Sequence, residues 1–508
     1  MLRFSLSIVL LLSCLYSFSQ QLITNDSLLW DHIAQQKLKF LYEQPMLTKV
    51  KQQDFNIGEA ELLFQNKQGE YRRAKDAYNQ SLVNFTANGI SQIDSFLISG
   101  QFKFNRIWED SLANTLQGLD DDLSPYYYFV EKPGKYERQN FNGHVQVRYS
   151  GISRYFQPGL KFDYGIHWTT RSVDPRPNVA SVAIKFNPYI SSEIGNSLLS
   201  AGLIYGYGDE ETEISYKNRM YNTSTLYPDR IYYTNQGFGY ITQKDSSAMR
   251  KFDQYIGANL AYNLQGQHYN LLSSLNIERK ITNSTFDQKL RKQYFKRSEF
   301  TLNSILSRTQ FSWQQAADKQ QLLDLAIVHH KGLDYNYNLR SANYIVKNTT
   351  VNFNYANQRK YWTFGFGTLW TSMDKQDAAA AHHHSYQQVQ VQAQIKRVFP
   401  VGKNYLEAEF IPSYTFSVAN KLSVPSTQVN VFTQSIVYPD YDYFNLEPIG
   451  LDLNLGYILP KSLNMRGSKI FLRNQFLTLM KDQKTTLMSQ AKENYHRWQL
   501  QIGAMVSL

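Results

Sequence analysis

The 508-residue chain has one cysteine, Cys14. It has no G-x-S-x-G, no H-E-x-x-H and no paired-cysteine motif. Past its N-terminus it also lacks any run of 18 apolar residues. Each absence closes a class of reading. Without a positioned nucleophile or a metal-ligand motif, the chain is not read as an enzyme, and no cofactor is expected. Without a long apolar run it has no transmembrane helix. If it lies in a membrane it does so as a closed barrel, since only helices and barrels satisfy their backbone groups in lipid.

What is present begins with a leader. Arg3 supplies positive charge, Phe4 to Tyr16 is apolar, and Ser17 and Ser19 are small residues at the −3 and −1 positions of a cleavage site. Residues 1–19 therefore read as a signal peptide, in preference to a buried N-terminal helix. Leu11-Leu12-Ser13-Cys14 loosely matches a lipoprotein box, the alternative being lipidation at Cys14. Cleavage after Ser19 leaves a cysteine-free chain, which suits an oxidising compartment. Residues 20–55 read as a periplasmic or lumen-lying lead-in. Asp26 or Ser27 caps a helix through Leu28, Leu29, Trp30 and Ile33 to about Leu38, and Pro45 stops any continuation.

From about Asn56 the apolar period changes to two. Trp498, Leu500, Ile502, Ala504, Val506 and Leu508 share one face of the last segment, with Arg497, Gln499, Gln501, Gly503 and Ser507 on the other. Leu160, Phe162, Tyr164, Ile166 and Trp168 oppose Lys161, Asp163, Gly165 and His167 in the same way. Leu406, Ala408, Phe410, Pro412, Tyr414 and Phe416 oppose Glu407, Glu409, Ser413 and Ser417. Aromatics make up 15% of the chain, yet its mean hydropathy is −0.46. That combination fits strands with one greasy and one wet face. A soluble sandwich or propeller needs apolar inward faces, which these segments do not offer.

Short links fall at 460–468, 400–404, 357–360, 315–318, 265–266, 191–196, 151–156 and 92–94, and long ones alternate with them, notably 209–250, 109–137 and 420–445. Short periplasmic turns alternating with long outer loops are the habit of membrane barrels. The expected fold is an all-β, transmembrane, antiparallel up-and-down barrel over residues 56–508. About 18 strands are expected, with 16 as the runner-up. Tyr205, Tyr207, Tyr262, Trp362, Trp370, Tyr414 and Tyr457 are expected near strand ends, where aromatic girdles form.

On these features the chain from about Asn56 to Leu508 resembles Gram-negative outer-membrane porin-type barrels. More narrowly, it is similar to an uncharacterised barrel family often encoded beside TonB-dependent receptors. The resemblance implies residence in the outer membrane, contact with its lipid, and a TonB-dependent receptor or other outer-membrane complex as a partner; lipopolysaccharide is expected as a partner from the basic charge, its phosphates bound by basic residues in loops. It supplies no functional residues. The insertion signal of such barrels ends in Phe or Trp, whereas this chain ends in Leu508.

The charge is +11 and the isoelectric point about 9.2, values that in a cytoplasmic protein suggest nucleic acid. Export argues against that partner. The expected lumen-lining charges are Lys103, Arg148, Lys161, Asp163, Lys185, Lys396, Glu407, Glu409, Asp452, Arg473 and Arg497, with Glu59, Glu61, Asp253 and Glu278 facing the same way. The signs are mixed, so pairing inside the lumen is expected to compete with anion selectivity. His382-His383-His384 reads as a solvated loop after Ala378–Ala381, and His329-His330 as a strand end, so no metal site is assigned. Asp120-Asp121-Asp122 reads as a solvated acidic turn. Tyr126-Tyr127-Tyr128-Phe129 is anomalous for an exposed loop and is expected to fold inward or meet a partner. Three functions follow: a diffusion channel; a barrel plugged by loops such as Asp209–Arg250 and by the lead-in helix, favoured by the aromatic-rich loops with Tyr221, Tyr227, Tyr232, Tyr233 and Tyr438 to Phe444, and serving as accessory subunit of a receptor or secretion complex; and, least supported, an outer-membrane lipase or protease.

Overall fold

The computed structural model describes residues 31–49, 55–119, 121–223, 226–244, 246–288, 293–316, 318–462, 465–479 and 495–507. The expected leader, with Cys14 and the expected cleavage site, lies outside them, as does Asp120.

Helix α1 (His32–Glu43) precedes β1 (Asn56–Gly69), β2 (Asn79–Ile93), β3 (Phe96–Leu112), β4 (Tyr126–Val130), β5 (Gly134–Tyr149), β6 (Gln157–Arg171) and β7 (Arg176–Ile194). Then come β8 (Ser197–Ser215), β9 (Tyr232–Gln236), β10 (Ile241–Gln243), β11 (Ala248–Gln265), β12 (Tyr269–Gln288), β13 (Gln293–Ala316) and β14 (Lys319–Asn336). The chain ends with β15 (Tyr344–Arg359), β16 (Trp362–Asp377), β17 (His382–Val401), β18 (Asn404–Ser423), helix α2 (Tyr438–Asn445), β19 (Pro448–Ser462), β20 (Met465–Leu479) and β21 (His496–Ser507).

All strands except β4, β9 and β10 form one 18-stranded antiparallel sheet in which sequence neighbours pair. It closes on itself: β1 pairs with β21 from Glu59↔Ser507 to Gly69↔Arg497. Closure leaves no unpaired edge, the condition for an isolated sheet in lipid. Every expected short link joins two wall strands at one end of the barrel, the end where β1 begins and β21 stops. In two of these turns glycine takes the left-handed backbone, Gly195 (φ 57°) and Gly402 (φ 62°), as tight hairpins demand. The wall strands run from 12 to 24 residues, beyond the ten or so expected, because many continue past the apolar belt toward the long loops.

The alternation sorts side chains as the sequence implied. On β6, Leu160, Ile166 and Trp168 point outward and are exposed, while Gln157, His167 and Thr169 point inward and are buried. On β8, Leu199, Leu203, Tyr205 and Tyr207 are outward beside inward Leu198, Ser200 and Thr212. Exposed Leu, Ile, Val and Phe continue around the circumference, far more apolar surface than a protein keeps against water. Of the expected girdle aromatics, Tyr262, Trp362 and Tyr457 sit near the short-turn ends of their strands. Tyr205, Tyr207, Trp370 and Tyr414 stand in mid-strand, because their strands overrun the belt.

Candidate functional site

The enclosed lumen is the candidate site, and two sets of segments fill its ends. At the short-turn end α1 crosses the interior. Asp31 caps it, its carboxylate accepting from Ala34 N at 2.9 Å; the expected caps Asp26 and Ser27, with Leu28 to Trp30, lie outside the described residues. The helix stops later than expected, at Glu43. Pro45 then opens a 3-10 turn over Pro45–Leu47.

The contacts of this segment reach strands on different sides of the ring. Ile33 packs on Leu322 and Ala356, and its N–H donates to Gln358 Oε1 at 3.2 Å. Phe40, Met46 and Leu47 pack with Tyr189, Ala261 and Leu272, while Tyr42 joins Phe55, Ile90 and Leu97. Polar anchors fix the backbone. Asn263 donates to the Leu47 carbonyl at 2.7 Å and Ser200 to that of Met46 at 3.2 Å. Arg148, fully buried, donates to the carbonyls of Met46 and Thr48. Arg308 bonds Glu43 at 2.6 Å and lies over the Phe40 ring. These bonds answer the carbonyls that an irregular buried segment would otherwise orphan.

At the long-loop end the loops turn inward. β4, β9 and β10 form a separate three-stranded antiparallel sheet. Tyr126 to Val130 are buried, so the aromatic run does fold inward. Tyr126, Tyr128, Val130 and Tyr232 pack with Met249 and Phe286 of the wall. Tyr127 and Phe129 pack with Phe300, Tyr344, Met373 and Phe432. Wall carboxylates hold the sheet in place. Asp334 accepts Tyr126 O–H at 2.6 Å, and Asp377 accepts the N–H of Phe238 at 2.6 Å and of Tyr240 at 2.9 Å. α2 closes the remainder, with Asp440 accepting from Ala74 N at 2.8 Å. Burial pushes the Asp440 carboxyl up to about 6 despite nearby Arg73.

Three local expectations are corrected. His382–His384 are not a loop: the turn ends at Ala381 (φ 52°) and the histidines open β17. His382 and His384 face inward and are buried, with His382 Nδ1 2.9 Å from the Phe238 carbonyl. His383, on the other face, meets Asp374. His329 and His330 lie within β14, not at its end, bonding Thr349 and Ser304 respectively. The acidic turn is not solvated. Asp121 accepts from Leu123 N and Ser124 N, and Asp122 pairs with Lys75 at 2.6 Å and with Arg73. Those cations hold the Asp122 carboxyl well below its ordinary range despite burial.

Between the two closures lie the predicted lumen residues, all on inward positions of their strands. Most are paired. Lys161 meets Asp163 at 2.9 Å, and Lys185 meets Glu278 at 2.7 Å. Glu407 bridges Lys396 at 3.0 Å and Lys469 at 2.7 Å. Glu409 accepts from Asn454 at 2.6 Å and from Gln394, and Asp452 from Gln475 at 3.2 Å. Two predicted cations serve the closures: Arg148 holds the N-terminal segment, and Arg497 donates to the carbonyls of Tyr71 and Ala77. Lys103 and Arg473 are exposed to the interior without an ion pair among the described residues; Arg473 lies over the Phe471 ring. Sequence reasoning missed Asp334, Asp377, Asn263 and Ser200. No local pattern marks them, because their partners are far away along the chain.

A closed wall with its own lumen fill can be set beside known proteins. The profile of a family of unknown function, DUF6850, matches residues 45–508. The chain belongs to that family. No curated protein matches it in sequence. Among solved structures it is similar to the copper transporter OprC, at 9% identity and TM-score 0.40, covering 91% of this chain and 81% of that one. It is also similar to unliganded ferric citrate transporter FecA, at 11% identity and TM-score 0.42, covering 91% and 80%. OccAB2 of Acinetobacter baumannii aligns at 10% identity and TM-score 0.34, covering 90% and 98%.

Proposed function

We propose that the protein is an outer-membrane barrel, shut at rest by its own chain, that passes a solute when the N-terminal segment is displaced. Membrane residence is supported by the closed wall and its apolar outer belt, and the outward long loops by the alternation of link lengths. The observation that carries the reading is residues 31–49 lying across the lumen on hydrogen bonds from Arg148, Asn263 and Ser200. A barrel of this strand number is wide enough for an aqueous path unless something occupies it. A few polar anchors are more readily broken than the continuous hydrogen-bonded ladder of the wall.

A second reading is favoured by the long-loop closure, which is a packed aromatic core and not a loose lid. Under it the barrel stays filled and serves as accessory subunit of a larger outer-membrane receptor or complex. Planar-bilayer recording separates the two. The full chain is expected to be silent, and a chain lacking residues 31–49 to show discrete open steps. Continued silence of the shortened chain leaves the accessory reading; steady large steps from the full chain refute closure itself.

A further inference from the structure

Cations on the outer wall toward the long-loop end are mostly answered by acids. Arg106 pairs with Glu137 at 2.5 Å, Lys135 with Asp110 at 3.5 Å, and Arg250 bonds Asp209 at 2.9 Å. One sector departs from this. Cross-strand register puts Arg279 opposite Asn303, Asn303 opposite Lys331, and Lys331 opposite Lys347. All four positions are outward, in one row across β12 to β15. Adjacent strands are about 4.8 Å apart, so the three cations fall within a few strand spacings.

Arg279, Lys331 and Lys347 are exposed, and none forms an ion pair with a described residue. Arg279 Nε is oriented by Asn303 Oδ1 at 2.9 Å. The one acid in register, Asp374 opposite Lys347, is engaged by His383 at 3.2 Å and Gln376 at 3.0 Å. Lys331 and Lys347 are directly opposite each other, a like-charge pair that destabilises a sheet unless something neutralises it.

The height of the row is also informative. Ten residues separate Tyr269 from Arg279 and Asn303 from Trp313. That is the length a tilted strand needs to cross the hydrocarbon core. Tyr269, Phe311 and Trp313 cluster at the short-turn side, as an interfacial girdle does. Exposed Ile277, Ile305 and Leu325 lie between that girdle and the cations. The cations therefore stand at the opposite edge of the belt, where headgroup phosphates lie and acyl chains can cover the apolar wall beside them.

From this we infer that Arg279, Lys331 and Lys347 form a binding site for the phosphates of lipopolysaccharide in the outer leaflet. The inference rests on the membrane placement proposed above.

The folded full chain, stripped of lipid in detergent, is titrated with bisphosphorylated lipid A, with enzymatically dephosphorylated lipid A, and with phosphatidylglycerol. Binding is expected to the first and at least tenfold weaker to the others. The triple variant Arg279→Gln, Lys331→Gln, Lys347→Gln should lose at least tenfold in affinity for bisphosphorylated lipid A. Arg106→Gln with Lys135→Gln, on another sector, should lose none. Gel mobility before and after boiling establishes that each variant is a closed barrel, and the lipid comparison on the parent chain needs no variant. Equal affinity for dephosphorylated lipid A or for phosphatidylglycerol overturns the site, as does an unaffected triple variant or an equally weakened control. Cell fractionation reads the placement separately: a parent chain absent from the outer membrane refutes the placement, whereas a well-placed barrel without phosphate-dependent binding refutes the site alone.

Discussion

Arg148 is the residue whose loss should most directly loosen the N-terminal segment. Its guanidinium is buried and donates to two carbonyls of that segment, those of Met46 and Thr48. Arg148→Met keeps most of the apolar volume while removing both donors. A hydrogen bond to a charged donor contributes about 1.5–3 kcal/mol, so the gross loss is about 3–6 kcal/mol. Burying methionine in place of a guanidinium returns part of that. We take about 2–4 kcal/mol as the net loss, with Asn263 and Ser200 still in place. At about 1.4 kcal/mol per factor of ten, the closed arrangement weakens about 30-fold to about 700-fold. The assay is thiol labelling. Thr48 is buried, and Thr48→Cys is close to isosteric. In a Cys14→Ser background it is the only thiol. With opening fast relative to labelling, the rate follows the open population. It should rise by the stated factor in Arg148→Met, up to the limit set by a fully exposed thiol. Equal rates in the two chains would refute the claim that Arg148 anchors the closure.

Two further outcomes follow from the charges. Glu407→Gln leaves Lys396 and Lys469 facing each other in a buried site, and should lower barrel stability by about 3–5 kcal/mol in a denaturant titration. Adding Lys469→Met should recover much of the loss, and no recovery would show that the triad is not the cause. Asp440 gives a pH dependence. Burial raises its folded pKa to about 6, above the ordinary carboxyl value, so the folded state holds the extra proton. Its contribution is therefore fully present below about pH 4 and is lost as pH rises toward 6. The thermal midpoint of the parent relative to Asp440→Asn should fall over that window and stay level above it; a difference independent of pH would contradict the assignment.

The wall was legible because each strand meets two solvents, lipid and an enclosed wet space, and so must repeat every two residues. Leu160 to Trp168 against Lys161 to His167 is enough to orient β6, and its neighbours follow by pairing. Short links were legible for a related reason: a tight reversal interrupts the alternation and often needs glycine, as at Gly195 and Gly402. The His382–His384 misreading shows the limit. Four alanines before the histidines looked like a long flexible link, but the turn is only those residues. The wall strands continue beyond the belt, where burial comes from inward loops and not from lipid.

The lumen fill obeys no such period. Its decisive contacts join Ile33 to Gln358, Tyr126 to Asp334 and Arg497 to Tyr71, pairs hundreds of positions apart and of no common type. The aromatic runs betrayed themselves by being too apolar for exposed loops, Tyr126 to Phe129 above all and also Tyr232 and Tyr233 of β9; Asp377 and Asp334 gave no comparable signal. The same reasoning explains the lumen charges. Once the interior holds chain at both ends, a cation there either takes the nearest acid, as Lys161 and Lys185 do, or pins a closure, as Arg148 and Arg497 do. Lys103 and Arg473 have neither task. Any selectivity of an opened path for anions should therefore depend on such unpaired cations, and not on the lumen's whole positive complement.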